Sequence, residues 1–191
     1  MIRSLISGVS SVVNFLRAKY TPVEYAKSIG VKVGNNVRMY SLHPGAFGSE
    51  PYLVELGDGV VLTAHVKFIT HDGSTFVFRE RFPDLDVMGP IRIGANTFIG
   101  TGSTIMPGVT IGRDCIIGAM SLVTRSVPEN CVAVGVPARV ISTGSSLLEA
   151  LLKKSSGTGG LDAEAKRRRL LAMTPEVDEV GRRWLISRPD K

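Results

Sequence analysis

Three imidazoles and two thiols are the side chains of this 191-residue chain best suited to acid–base, metal or nucleophilic chemistry: His43, His65, His71, Cys115 and Cys131. Imidazole titrates near neutrality, so a histidine beside a binding surface can take a proton and return it. Three histidines could also hold zinc, which needs each ligand nitrogen within about 2.1 Å of one ion. A thiol supports an acyl-cysteine route only where its environment favours the thiolate. Which chemistry is open depends on the elements that position these residues.

Between Ile93 and Pro128 the chain divides into six consecutive hexads, IGANTF, IGTGST, IMPGVT, IGRDCI, IGAMSL and VTRSVP. The first position is always aliphatic: Ile93, Ile99, Ile105, Ile111, Ile117 and Val123. The fifth is small or β-branched: Thr97, Ser103, Val109, Cys115, Ser121 and Val127. The fourth carries Asn96, Gly102, Gly108 and Asp114, types that tolerate the left-handed backbone region, and loosens at Met120 and Ser126. A period of six matches neither an amphipathic helix nor an alternating strand. It fits short strands joined by tight corners, three to a coil, with coils about 4.8 Å apart and paired as parallel β. The predicted fold is a triangular parallel β-helix. Its aliphatic column fills a narrow axial core, and its fifth column points inward beside it.

The same grammar recurs as VGNNVR at Val33, LGDGVV at Leu56, LTAHVK at Leu62 and FITHDG at Phe68. Gly59, His65 and His71 then occupy the corner column, and each corner projects outward. Histidines six apart sit on different corners of one coil, so His65 and His71 cannot share a metal within one subunit; His43 falls in an irregular stretch. Cys115 lies in the inward column, where a neutral thiol is a small hydrophobe, so an acyl-cysteine mechanism is rejected. Both cysteines are read as buried, reduced thiols. His71 is either a solvated corner or a working base, and its position three residues before a large excursion favours the second.

Two stretches break the period. Residues 41–52, SLHPGAFGSEPY, hold two prolines and two glycines and must leave the coil as a loop or bulge. Residues 74–90 form a second excursion. The expected organisation is an N-terminal helical cap over 1–30, the coil over 31–141, and a helical tail over 142–191. In the cap, Ile2, Leu5, Ile6, Val9, Val12, Val13 and Leu16 stand at helical spacing. The run is too short to span a bilayer and no small-residue cleavage pattern follows it. A helix covering the open end of the coil is the main reading; peripheral contact with a membrane surface is the second. A helix after Thr21 is predicted to start with a capping box from Thr21 and Glu24. In the tail, Leu147 to Lys154, Leu161 to Met173 and a segment from Thr174 through Arg182, Arg183 and Trp184 read as helices that cap and pack.

The formal charge of +6 is unevenly spread. Residues 1–40 hold six Lys/Arg against one Glu, 41–141 seven against nine acids, and 142–191 ten against seven. A mildly acidic body does not offer the continuous basic face that nucleic acid needs. The run Lys166 to Arg169 reads as a solvated helix surface. No nucleic-acid partner is expected, and the location expected is cytoplasmic.

Beyond the repeats, FGSEPY at Phe47 to Tyr52, ITHDG at Ile69 to Gly73, IMPGVTIG at Ile105 to Gly112, IGAMSLVTRSVP at Ile117 to Pro128 and VGVPARVI at Val134 to Ile141 together resemble one family. It is the hexapeptide-repeat acyltransferases, particularly the maltose, galactoside and capsular-polysaccharide O-acetyltransferases. The resemblance covers roughly residues 22–141 and implies an all-β, left-handed parallel β-helix capped by N- and C-terminal α-helices. It implies transfer of an acetyl group from acetyl-CoA to a saccharide hydroxyl, without a metal, by a homotrimer whose active sites lie between subunits. His71 matches the family's general base. Thr101, Ala119, Thr124, Arg125 and Arg139 match its CoA contacts, and Asp72 and Glu50 are candidates for the acceptor side. Asp72 could also orient the imidazole or cap the loop. Met120 stands where the family commonly has glycine. The alternatives are N-acetylation of an amino sugar, O-acetylation of serine, a zinc enzyme of the γ-type carbonic anhydrase kind, and a non-catalytic scaffold.

Overall fold

The computed structural model describes residues 2–173, with side chains from Ser11 onward. The predicted segment around Thr174, Pro175, Arg182, Arg183 and Trp184 lies outside the described residues. The chain divides into two compact units, Met1–Gly144 and Ser145–Lys191.

The first unit opens with α1 (Ile2–Tyr20) and α2 (Pro22–Ser28). The coil follows as β1 (Lys32–Val33), β2 (Arg38–Met39), β3 (Val54–Leu56), β4 (Val61–Leu62), β5 (Lys67–Phe68), β6 (Ile91–Ile93), β7 (Phe98–Ile99), β8 (Thr104–Ile105), β9 (Thr110–Ile111), β10 (Ile116–Ile117) and β11 (Leu122–Val123). Two longer strands, β12 (Cys131–Gly135) and β13 (Ala138–Thr143), end it. Three sheets form the faces of a prism: β1-β3-β6-β9, β2-β4-β7-β10-β12-β13, and β5-β8-β11. Every pairing is parallel except the last, where β13 turns back antiparallel on β12. The architecture is the left-handed parallel β-helix.

Register explains why six-residue spacing gives this shape. Ile93 pairs with Ile111, Ile99 with Ile117, and Ile105 with Val123, so each aliphatic side chain stacks on the one a coil away. All six are buried; burying such a side chain contributes about 1.5–3 kcal/mol. The fifth column is inside as well, and its polar members bond to the coil backbone. Thr97 Oγ1 donates to Gly112 O at 2.8 Å and Ser103 Oγ to Gly118 O at 2.9 Å. Cys115 Sγ lies 2.9 Å from Pro128 O, and burial pushes its thiol above the ordinary range. At the corners, Asn36, His65, Asn96, Asp114 and Met120 take φ between 55° and 59°, in the left-handed region. Met120 therefore keeps the backbone that a glycine would supply.

Besides Cys131, which is half-buried rather than buried, three expectations are corrected. Thr21 makes no side-chain cap to α2; its Oγ1 donates back to Arg17 O at 3.2 Å, because α1 ends one residue earlier and offers a carbonyl. The stretch 41–52 does not leave the coil entirely. Phe68 N donates to Ala46 O at 2.7 Å, and Phe47, fully buried, stacks on Phe68 with ring centroids 5.2 Å apart. Two bulky rings there replace the missing aliphatic residue of the column. The third concerns His71, which has no left-handed φ although it occupies the corner column.

Helix α2 packs on β1 and β2, burying Tyr25 and Ala26 against the first coil, and α1 packs on α2. In the second unit, Ser145 onward, α3 (Gly144–Lys154) completes itself, and α4 (Ala163–Met173) is capped by Asp162 Oδ1 accepting from Ala165 N at 2.8 Å. Lys166 to Arg169 lie exposed on α4.

Candidate active site

The excursion after β5 begins at the corner that should have been His71. Its base is pinned on both sides of that residue: Gly89 N donates to Thr70 O at 2.9 Å, Asp72 N donates to Val87 O at 2.8 Å, and His71 bridges antiparallel to Met88. An extended partner strand and a left-handed corner are incompatible backbones, which is why the repeat's rule is suspended here. Asp72 then starts a 3-10 turn over Gly73–Phe78, its Oδ1 accepting from Ser74 N at 2.9 Å. Bonding from Ser74 holds the Asp72 carboxyl below the ordinary range. Of the roles open to Asp72, loop capping is the one its bonds describe.

The carboxylate on the imidazole is Glu50. Its Oε2 lies 3.1 Å from His71 Nδ1 and accepts from Thr70 Oγ1 at 2.7 Å; Ser49 Oγ is 3.5 Å from the same ring nitrogen. The Thr70 bond first, then the bond and charge of His71, hold the Glu50 carboxyl below the ordinary range against the opposing effect of burial. An ionised carboxylate only accepts, so Nδ1 is the protonated nitrogen of the neutral ring and Nε2 carries the lone pair. The Glu50 side chain is 13% exposed and that of His71 36%. The pair is thus a shielded acceptor holding a half-open base.

Gly48 makes this reach feasible. It takes φ 68°, and a Cβ there would stand 2.8 Å from Thr70 Oγ1 and 3.1 Å from Phe68 O. The FGSE segment can therefore lie directly on the coil, delivering Ser49 and Glu50 to the ring. Like Ser49, the fully buried Thr70 is a residue at the ring that the sequence reading did not single out. Its only signal was a polar residue immediately before the histidine.

The other candidate residues fall on two corners. Between the second and third sheets, Gly102 N donates to Ala64 O and Met120 N to Thr101 O, so Ala64, Thr101 and Ala119 form one row, with His65, Gly102 and Met120 the next. Thr101 Oγ1 donates to Thr63 Oγ1 at 3.2 Å, and the Met120 sulfur occupies the space where a Gly102 Cβ would point. Arg139 pairs with Val134 on the neighbouring end strand, beyond the Gly118 row. Between the third and first sheets, the pairing of Phe68, Ile105 and Val123 puts Thr124 and Arg125 in the rows that end at Ile69 and Thr70. So Thr124 and Arg125 share a corner with His71, while Thr101, Ala119 and Arg139 line the other edge of the same face. All five are exposed, and among the described residues neither arginine has a carboxylate within ion-pair distance.

His43 is a local turn residue, its Nδ1 accepting from Gly45 N at 3.0 Å. Among the described residues no three His, Cys, Asp or Glu side chains converge as a metal site would require.

A family model described as bacterial transferase hexapeptide (six repeats) matches residues 90–125. Protein CapG of Staphylococcus aureus is 42% identical over 145 residues, which are 76% of this chain and 84% of that protein. Galactoside O-acetyltransferase of Escherichia coli (strain K12) is 41% identical over 92 residues, covering 48% of this chain and 45% of the enzyme. Among solved structures, a maltose O-acetyltransferase from Clostridium difficile 630 is 28% identical, with a TM-score of 0.45 over 63% of this chain and 73% of that one. With the repeat in register along its coil and a relative that matches it over most of both lengths, this chain belongs to the bacterial hexapeptide-repeat transferases and is an acetyltransferase.

Proposed function

We propose that the protein moves an acetyl group from acetyl-CoA to a hydroxyl of a saccharide, directly and with His71 as general base. The observation that carries this reading is the bonded Glu50–His71 pair at the mouth of the 74–90 excursion. Nε2 takes the acceptor hydroxyl proton as its oxygen attacks the thioester carbonyl. The C–S bond then breaks as the tetrahedral intermediate collapses, and Nε2 returns the proton to the departing thiolate, giving CoA and the acetyl ester. Glu50 stabilises the imidazolium that exists between the two transfers. The name of a galactoside O-acetyltransferase among the similar proteins supports a sugar acceptor.

Acetyl-CoA is assigned to the face edged by Thr101 and Ala119, whose short side chains leave room for a thin pantetheine arm, with Arg125 and Arg139 meeting phosphates. A prism has flat outer faces, and transfer needs a partly dehydrated groove. We therefore assign the working form to a homotrimer, in which three prisms around an axis create three clefts. Phe76 and Val77, each 76% exposed at the excursion's outer turn, suit a partner surface of that kind.

The test is CoA release from acetyl-CoA over a panel of hexoses, oligosaccharides, amino sugars and serine, with the product analysed for ester or amide. Saccharide ester formation that disappears in His71→Ala is expected. Amide formation only, serine as the sole acceptor, or undiminished turnover without the imidazole would sink the assignment. Mixing His71→Ala with an Ala119→Trp variant under verified subunit exchange should restore part of the activity; no recovery would refute a shared cleft.

A further inference from the structure

Helix α1 presents its small polar side to the protein and its apolar side to the surroundings. Ala18 is fully buried and Asn14, one turn earlier, is half-buried. Val12, Val13, Leu16 and Tyr20 are 59%, 46%, 46% and 69% exposed. At about 100° per residue these four fall within one arc of roughly 100°, opposite the Asn14 and Ala18 side, while Phe15, 51% exposed, lies about 60° outside it beyond Lys19. A helix that only closed the end of the coil would turn this arc inward. Here α2 does the closing and leaves the α1 arc open.

Charge identifies what would cover it. On the helical wheel Arg17 and Lys19 flank the two edges of the arc, and the Lys19 Nζ sits 5.3 Å over the Tyr20 ring. Helix α1 contains no Asp or Glu; α2 adds Glu24 in its first turn and Lys27 in its last. Packing two copies arc to arc would bring Arg17 and Lys19 of both helices together with no acid on either α1 to offset them. Four serines, Ser4, Ser7, Ser10 and Ser11, interrupt the apolar run, and no helix of the described residues is long and apolar enough to cross a membrane. An apolar arc with cationic edges and low net hydrophobicity is the pattern of a helix lying in a lipid interface.

We propose that α1 seats this acetyltransferase on an anionic lipid surface, with the Val12, Val13, Leu16 and Tyr20 arc among the acyl chains and Arg17 and Lys19 at the headgroups. The measurement is flotation of the full-length protein with vesicles of phosphatidylcholine containing phosphatidylglycerol, compared with phosphatidylcholine alone. Wild type is expected to float with the anionic vesicles. The double variant V13D/L16D should bind them at least tenfold more weakly, and R17E/K19E should lose about fivefold per cation removed, a loss that high salt reproduces in the wild type. Circular dichroism melts and solution acetyl transfer should be unchanged in both, since every altered side chain is exposed and none belongs to the proposed site. Wild type left at the bottom of the gradient, or V13D/L16D floating as well as wild type, would overturn the proposal. So would a change of sedimentation coefficient in V13D/L16D, because it would show the arc covered by a second copy.

Discussion

His65 and His71 hold the same position in consecutive hexads, yet the coil treats them as different materials. His65 sits at φ 59° in an unbroken corner, stacked in a row with Gly102 and Met120, which share that backbone. His71 sits where the chain leaves the coil, extended against Met88 and bonded through Nδ1 to Glu50. The first is a corner that happens to be imidazole, and the second is an imidazole for which the corner has been given up. What separates them is the excursion. A repeat can hold a side chain in place by stacking, but only an interruption brings residues distant in sequence onto its ring.

The largest test of that contrast is to remove each ring. His71→Ala should fold and bind CoA but lose about two to four orders of magnitude in turnover, the usual range for a general base. His65→Gly should leave turnover alone and raise the melting temperature slightly, since glycine relieves the cost of a left-handed φ. Equal effects on kcat from the two variants would erase the distinction.

The arginines sharpen the comparison by asking which corner meets the donor. Replacing Arg125 and Arg139 by Ala should raise the KM for acetyl-CoA by about tenfold each, the low end for charge-assisted bonds because both are exposed, with the acceptor KM little changed. An effect confined to Arg125 would put the donor's charged end on the His71 corner alone. Unchanged acetyl-CoA kinetics in the double variant would remove the donor from this face.

Glu50→Gln should lower kcat by about tenfold or more at neutral pH, the worth of a charge-assisted bond to the imidazolium. Acid stability gives an independent reading with a definite sign. Because the folded Glu50 carboxyl is held below its ordinary range by Thr70 and His71, its contribution is present above that range and fades as pH falls through it toward the folded value. The wild type should therefore be more stable than Glu50→Gln at pH 7, and their urea midpoints should converge in acid. Parallel midpoints across the whole range would show that the carboxylate does not work through its charge.

The smallest effect belongs to the regular coil. Cys115→Ala leaves a small void in a fully buried column, costing on the order of 1 kcal/mol by chemical denaturation with turnover unchanged. Loss of activity without loss of stability, or an acetyl group trapped on the thiol, would transfer chemistry to the part of the molecule assigned to support.

Most of the fold was legible because stacking reads composition one column at a time. Ile93, Ile99 and Ile105 announce the core, Thr97 and Ser103 the inward neighbours, and Asn96 and Asp114 the corners, with no need of distant information. The exceptions are instructive. Phe47 enters the core from a stretch that reads as pure interruption, since ring stacking on Phe68 obeys no six-residue rule. Thr21 carried the signature of a capping box, but that pattern could not register that α1 would end beside it and claim the hydroxyl. At the candidate site, motif resemblance singled out His71 as a base and Glu50 for the acceptor side, and the structure joins the two at 3.1 Å. That Glu50, and not Asp72, would hold the ring depends on the close approach of Gly48 to Thr70, which only the folded path of 41–52 creates.

The antiparallel return of β13 has a consequence of a different kind. A stack of parallel strands has no intrinsic length, and its last strand offers the next molecule the same invitation it offered its own chain. By reversing direction and pairing Cys131 with Thr143 through Gly135 with Ala138, the chain occupies that edge of the second sheet with a strand of the wrong polarity to extend the parallel series. The second sheet therefore carries its own full stop, a last strand whose polarity does not continue the parallel series.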